Sequence, residues 1–175
     1  MLIPPSRRFA IAATSVLVCA AVLLPSTPAR AESAAPPTEA IDPAVRMITS
    51  LVDGGDPALL PADFTTMLGY RPTITDGLLV KPSGSCSSPV ALPREFDVAC
   101  KAHDLGYDLL RYADRIGTAT GGWARRALDD ALDRRMHDAC VPRSAVLARV
   151  RCQAMATVAS AAVSVNSLRQ RFGTP

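Results

Sequence analysis

Cysteine placement constrains this chain more than any other feature. Five cysteines stand at Cys19, Cys86, Cys100, Cys140 and Cys152. The first lies inside an apolar leader: Arg7 and Arg8 precede an uncharged run from Phe9 to Leu24, and Ala29-Arg30-Ala31 follows with small residues at its first and third positions. A basic start, an apolar stretch and an A-x-A pattern together make a cleavable secretory signal. Sixteen uncharged residues are also fewer than the ~20 a spanning helix needs. Residues 1–31 are therefore read as a signal peptide and the protein as secreted. Four cysteines then remain, an even number in an oxidising compartment, which implies two disulfides with three possible connectivities. Neighbours in sequence favour Cys86–Cys100 and Cys140–Cys152, each worth roughly 3 kcal/mol by loop closure.

Removing the leader also settles the charge. Three of the 19 basic residues lie in it, so sixteen face sixteen acids in the remainder and the formal +3 disappears. Nothing in that balance asks for nucleic acid. The distribution is uneven, since residues 141–175 carry five arginines and no acid. Such a segment suits either a solvated helix face or an anionic membrane surface.

Along the chain, residues 32–60 read as a flexible segment followed by one short helix. Asp42-Pro43 supplies an N-cap acid and a first-turn proline, Ile48, Leu51 and Val52 the apolar side, and Gly54-Gly55 the stop. Residues 61–175 form one helical domain. Pro61-Ala62-Asp63 opens a short helical turn ending near Gly69, and residues 71–92, rich in Pro, Gly, Ser and Thr, read as loop. Three longer helices are predicted: about Pro93 to Ile116, Gly122 to Ala139 and Ser144 to Arg171, the last two parted by Pro142. On the third, Val150, Ala154, Val158, Ala161 and Ala162 make a small-residue stripe expected to pack against its neighbours. The fold class is all-α, disulfide-stapled, with two long antiparallel helices plus a C-terminal helix.

On the first long helix, Cys100, His103, Asp104 and Tyr107 fall at i, i+3, i+4 and i+7, one face. His103 and Asp104 diverge by about 100° and so address different partners in one cleft. An imidazole accepts a proton near neutral pH, and a carboxylate offers the hard oxygens that calcium takes.

Cys100-Lys101-Ala102-His103-Asp104-Leu105-Gly106-Tyr107 resembles the C-x-x-H-D-x-x-Y signature of secreted phospholipases A2, most closely the short prokaryotic and fungal type, which has two disulfides. In that family a second helix brings an aspartate eleven residues before a cysteine. Here that position is Asp129, ahead of Cys140, and Met136 stands where a methionine is common. The Cys140 to Cys152 spacing resembles the family's second disulfide, so the likeness runs from about Cys86 to Cys152. It implies a phospholipase A2-like core and calcium-dependent hydrolysis of the sn-2 ester of glycerophospholipids. His103 would activate water, Asp129 would orient the imidazole, and Tyr107 would support Asp129. Asp104 would bind Ca2+, with backbone carbonyls around Gly84 and Ser85 completing the shell. Its partner would be a phospholipid membrane or micelle, met as a monomer. One departure stands out: prokaryotic relatives commonly place a calcium-binding aspartate at the position of Gly84. Calcium binding is then expected to be weaker, unless another acid, Asp76 or Asp97, reaches in. The alternative reading is a catalytically inactive domain of the same fold that binds lipid or protein.

The remaining candidates read as ordinary. His137 beside Asp138 is a solvated helix position, Asp130 and Asp133 pair with Arg126, Arg134 or Arg135, and Trp123 packs in the core. Ser83 to Ser88 contains no G-x-S-x-G, and no zinc spacing is present.

Overall fold

The computed structural model describes residues 41–175. The leader, its cleavage site and the first part of the lead-in lie outside the described residues. Among the described residues the chain is mostly helical.

Helix α1 (Pro43–Val52) starts as its sequence predicts. The Asp42 carboxylate accepts from Ala44 N–H at 2.8 Å, and its second oxygen accepts from Thr118 Oγ1 at 2.8 Å. Ala44, Met47, Ile48 and Leu51 form its buried side. A 3₁₀ turn (Pro57–Leu59) leads to α2 (Phe64–Leu68), which Gly69 closes in the left-handed conformation. The segment expected to be all loop instead contains a small hairpin, β1 (Thr73–Thr75) paired antiparallel with β2 (Leu78–Val80). Asp76 and Gly77 both have positive φ, the requirement of a two-residue turn whose twist matches its strands. The Asp-Gly pair between two β-branched or aliphatic triplets is the local sequence signal for this hairpin.

A 3₁₀ turn at Arg94–Phe96 runs directly into α3 (Asp97–Arg115), followed by α4 (Gly121–Ala139) and α5 (Val146–Arg169). Helices α3 and α4 are antiparallel. His103 meets Asp129, and one turn further on Tyr107 meets Arg125. They pack closely at Gly106, where a Cβ would stand 2.6 Å from Leu128 Cδ2. A side chain there would force the buried Leu128 side chain to move, so the glycine leaves room for Leu128 at the turn that carries Asp129.

Two apolar clusters hold these helices. One joins α1, α2 and β2 to α3 through Met47, Ile48, Phe64, Leu79, Leu105 and Leu109. The other gathers Phe96, Leu132, Met136 and Ala156 around both disulfides. Cys86–Cys100 and Cys140–Cys152 are the pairs formed, with Cα–Cα distances of 5.1 and 5.7 Å.

Two packing expectations are reversed. On α5 the Val150, Ala154, Val158, Ala161, Ala162 stripe faces outward, Val158 being 69% exposed. Cys152, Ala156 and Ser167 face inward instead. The disulfide fixes which side of α5 meets α4, and the stripe lies on the other side. By length and composition α5 could cross a membrane. Trp123 is 47% exposed rather than in the core, because Ala124 and Arg125 occupy the inward positions of that first turn of α4.

Candidate active site

The site grows from one face of α3. His103 is 8% exposed, and its Nε2 lies 2.8 Å from Oδ1 of Asp129, which is 7% exposed. Tyr107 OH donates to the same oxygen at 2.8 Å. The other carboxylate oxygen, Oδ2, accepts from Ser167 Oγ at 2.6 Å. Burial pushes the Asp129 pKa up, but hydrogen bonds from His103, Ser167 and Tyr107 outweigh it and hold the carboxyl below its ordinary 3.8. Asp129 is therefore an acceptor only at neutral pH, and Nε2 of His103 must be the donor. That leaves the lone pair on Nδ1. Burial pushes the Tyr107 phenol up, and the Asp129 charge adds to it, so the hydroxyl stays protonated and donates.

His103 opens onto a cavity of about 440 Å³. Leu92, Leu132, Met136 and Val163 give it an apolar lining, Asp104 and Arg111 its charged groups. A volume in the range of small-ligand pockets, mostly apolar with few convergent polar groups, is the usual form of a binding cleft.

The segment of residues 81–89 forms one wall and is fixed on α3 through three of its residues. Lys81 N–H donates to Lys101 O at 3.1 Å, while its Nζ pairs with Asp108 at 2.8 Å. Ser85 N–H donates to Asp104 Oδ2 at 2.9 Å. Cys86 is bonded to Cys100. Asp104, Gly84 and Ser85 thus lie side by side. Gly84 suits this close packing, because a Cβ there would sit 2.9 Å from Asp104 Oδ2 and 3.1 Å from Lys101 Cα. An aspartate at position 84 would need the Asp104 side chain and the neighbouring backbone to shift by a few tenths of an ångström.

For calcium, the donor set is one carboxylate. Asp104 already shares Oδ2 with a loop amide, and neither acid considered as a substitute serves. Asp97 pairs with Lys101 at 2.7 Å, and Asp76 sits in the hairpin turn. Among the described residues no group of three His, Cys, Asp or Glu converges. The oxygen chemistry suits a hard cation, and the single charge suits one held weakly, with water completing its shell.

The other readings fare unevenly. His137 is half-buried, not solvated: Nδ1 is hydrogen-bonded to Gln153 Oε1, and Nε2 lies 3.4 Å from Asp133 Oδ1. Asp133 therefore faces a histidine. Arg135 donates to the Leu51 and Val52 carbonyls at the end of α1, and the Arg126 guanidinium stacks on Phe172 at 3.9 Å. Two functional groups went unseen in the sequence, Ser167 and Arg125. Ser167 is 38 residues from its partner Asp129, and a lone serine in an Ala-rich helix carries no signal of such a contact. Arg125 was legible only as the third residue past a helix start.

No family model, curated protein or solved structure matches the chain.

Proposed function

We propose that the protein is a secreted hydrolase of the phospholipase A2 type, with a phospholipase A2-like core, cleaving the sn-2 ester of glycerophospholipids as a monomer at a lipid surface. One observation carries the proposal: a buried, ionised Asp129 fixes His103 through Nε2 and leaves Nδ1 as the free base beside an apolar cavity. A histidine so held takes a proton from water as the water attacks a carbonyl, and needs no serine or cysteine nucleophile. Asp129 keeps the tautomer and stabilises the imidazolium that forms. Tyr107 steadies Asp129 through its hydroxyl. The apolar lining accommodates an acyl chain, and Arg111, paired with Asp108 at 2.7 Å, is the cavity's cationic group. Asp104, with oxygens of the 84–89 loop, is the place for Ca2+, which when bound would act as a Lewis acid on the ester carbonyl.

The test is fatty-acid release from mixed phosphatidylcholine–phosphatidylglycerol vesicles, with calcium or chelator, by the protein and by His103→Asn. Release that requires both calcium and His103 is the expected result. A calcium titration followed by thermal melting gives a second readout, with a rise in Tm expected only at about millimolar concentration, the range of weak extracellular sites. Gly84 favours one rival, a catalytically inactive domain of the same fold. A folded, disulfide-bonded protein with no release and no calcium shift would establish that rival.

A further inference from the structure

Arg125 is a guanidinium with only 1% of its surface exposed, and among the described residues no carboxylate pairs with it. A charge buried in that way is costly unless its field is used. Its hydrogen bonds show where the field goes. Nε donates to Ser167 Oγ at 2.9 Å and to Tyr107 OH at 3.3 Å. Nη1 donates to Gly173 O at 2.7 Å, and the guanidinium carbon stands 4.9 Å from the Tyr107 ring centre. Each hydroxyl that accepts from Arg125 passes its own proton to Asp129, Ser167 to Oδ2 at 2.6 Å and Tyr107 to Oδ1 at 2.8 Å. A hydroxyl has one proton to give, so accepting from a cation commits that proton to the carboxylate and strengthens the bond.

We infer that Ser167 and Arg125 are positioning residues for the His103–Asp129 pair. The C-terminal helix supplies the second hydroxyl that fixes the carboxylate, and Arg125 acts as its remote counter-ion through both hydroxyls. Without Ser167, Oδ2 loses its sole protein donor among the described residues, and the carboxylate is free to turn about its Cβ–Cγ bond. The imidazole then loses its fixed orientation. The chain beyond α5 takes part as well. Arg171 and Phe172 both adopt positive φ, which folds the terminus back so that Gly173 O meets Arg125 and Pro175 O accepts from Arg111 Nε at 3.1 Å.

The inference rests on the hydrolase reading for its kinetic consequence but not for its structural one, and two readouts separate them. The first is the low-field proton resonance of His103 Nε2–H in its bond to Asp129. The second is turnover on a dispersed short-chain phosphatidylcholine. Ser167→Ala is expected to broaden or erase the resonance and to lower kcat roughly ten- to hundredfold, the cost of one hydrogen bond to a charged group, with KM unchanged. Ser167→Thr, which keeps the hydroxyl, is expected to restore both. Arg125→Gln, which removes the positive charge, should give the Ser167→Ala signature in weaker form. A folded Ser167→Ala protein with the resonance and kcat of the parent overturns the inference. Should the parent show the resonance but no turnover, the hydrolase reading fails alone. Loss of the resonance in Ser167→Ala then still supports the positioning role, and its persistence overturns it.

Discussion

His103 and His137 invite comparison because the sequence presents them almost alike. Each is followed by an aspartate, each lies three residues from a disulfide cysteine, and each sits on a long helix. Their surroundings differ completely. His103 is turned between α3 and α4, where one ring nitrogen meets a buried carboxylate and the other is left to a cavity. His137 is turned toward α5, where Gln153 engages Nδ1, Asp133 lies near Nε2, and Gln153 Nε2 returns a bond to His137 O at 3.0 Å. A histidine with both nitrogens occupied ties two helices together; one with a single nitrogen occupied by an ionised acceptor keeps the other for a further partner. The neighbouring aspartate, the most visible feature in the sequence, decides neither case.

The largest effect that would break the comparison is at Asp129. Asp129→Asn replaces an acceptor by an amide that can donate, so the imidazole loses its reason to keep the proton on Nε2. Turnover should fall by up to about 10⁴-fold, as for carboxylates that hold histidine tautomers elsewhere. Stability adds an independent check. The folded Asp129 carboxyl titrates below 3.8, so its stabilising contribution is complete above that value and is lost as pH falls through the depressed one. Denaturant melts between pH 2 and 5 should therefore show a shallower loss toward acid for Asp129→Asn than for the parent. An unchanged acid limb would mean that the carboxylate gains nothing from its three donors.

Much of this architecture was legible before any coordinates. Asp42-Pro43, Gly117 and Pro142 mark helix limits by local backbone chemistry, and local chemistry is what a single sequence displays. The face Cys100, His103, Asp104, Tyr107 follows from helical periodicity, and the disulfide pairs formed are those favoured by sequence proximity. Apart from the β1–β2 hairpin, whose Asp76-Gly77 turn is a local signal, the failures share one cause. Trp123, the outer stripe of α5, His137 and Ser167 depend on which side of one helix meets another. That choice is made by long-range constraints: the Cys140–Cys152 bond, the Gly106–Leu128 approach and the buried network around Asp129. Gly84 reads as a missing ligand in one dimension, whereas in three it is the residue that lets the loop lie against Asp104.

A smaller effect tests whether the disulfide that orients α5 also serves the site. Replacing Cys140 and Cys152 together by Ser removes a link across twelve residues, worth roughly 3 kcal/mol by loop closure. Because α5 carries Ser167, the His103 end of the comparison should suffer as well as the His137 end. Turnover at temperatures well below the melt should drop several-fold even where circular dichroism shows full helicity. Retained turnover with a lowered Tm would confine the disulfide to stability.

The smallest effect belongs to His137 itself. His137→Asn should leave vesicle hydrolysis within about twofold of the parent while lowering unfolding free energy by about 1 kcal/mol, the net worth of a typical side-chain hydrogen bond. Gln153→Ala should cost a similar amount, since it removes the same bond along with the reciprocal one to His137 O. The double variant should cost less than the sum of the two, because residues in contact do not contribute additively and the shared bond is lost only once. Full additivity in that cycle would show that the α4–α5 bridge contributes nothing in solution, and a fall in turnover for His137→Asn alone would move His137 out of the structural role and into the site.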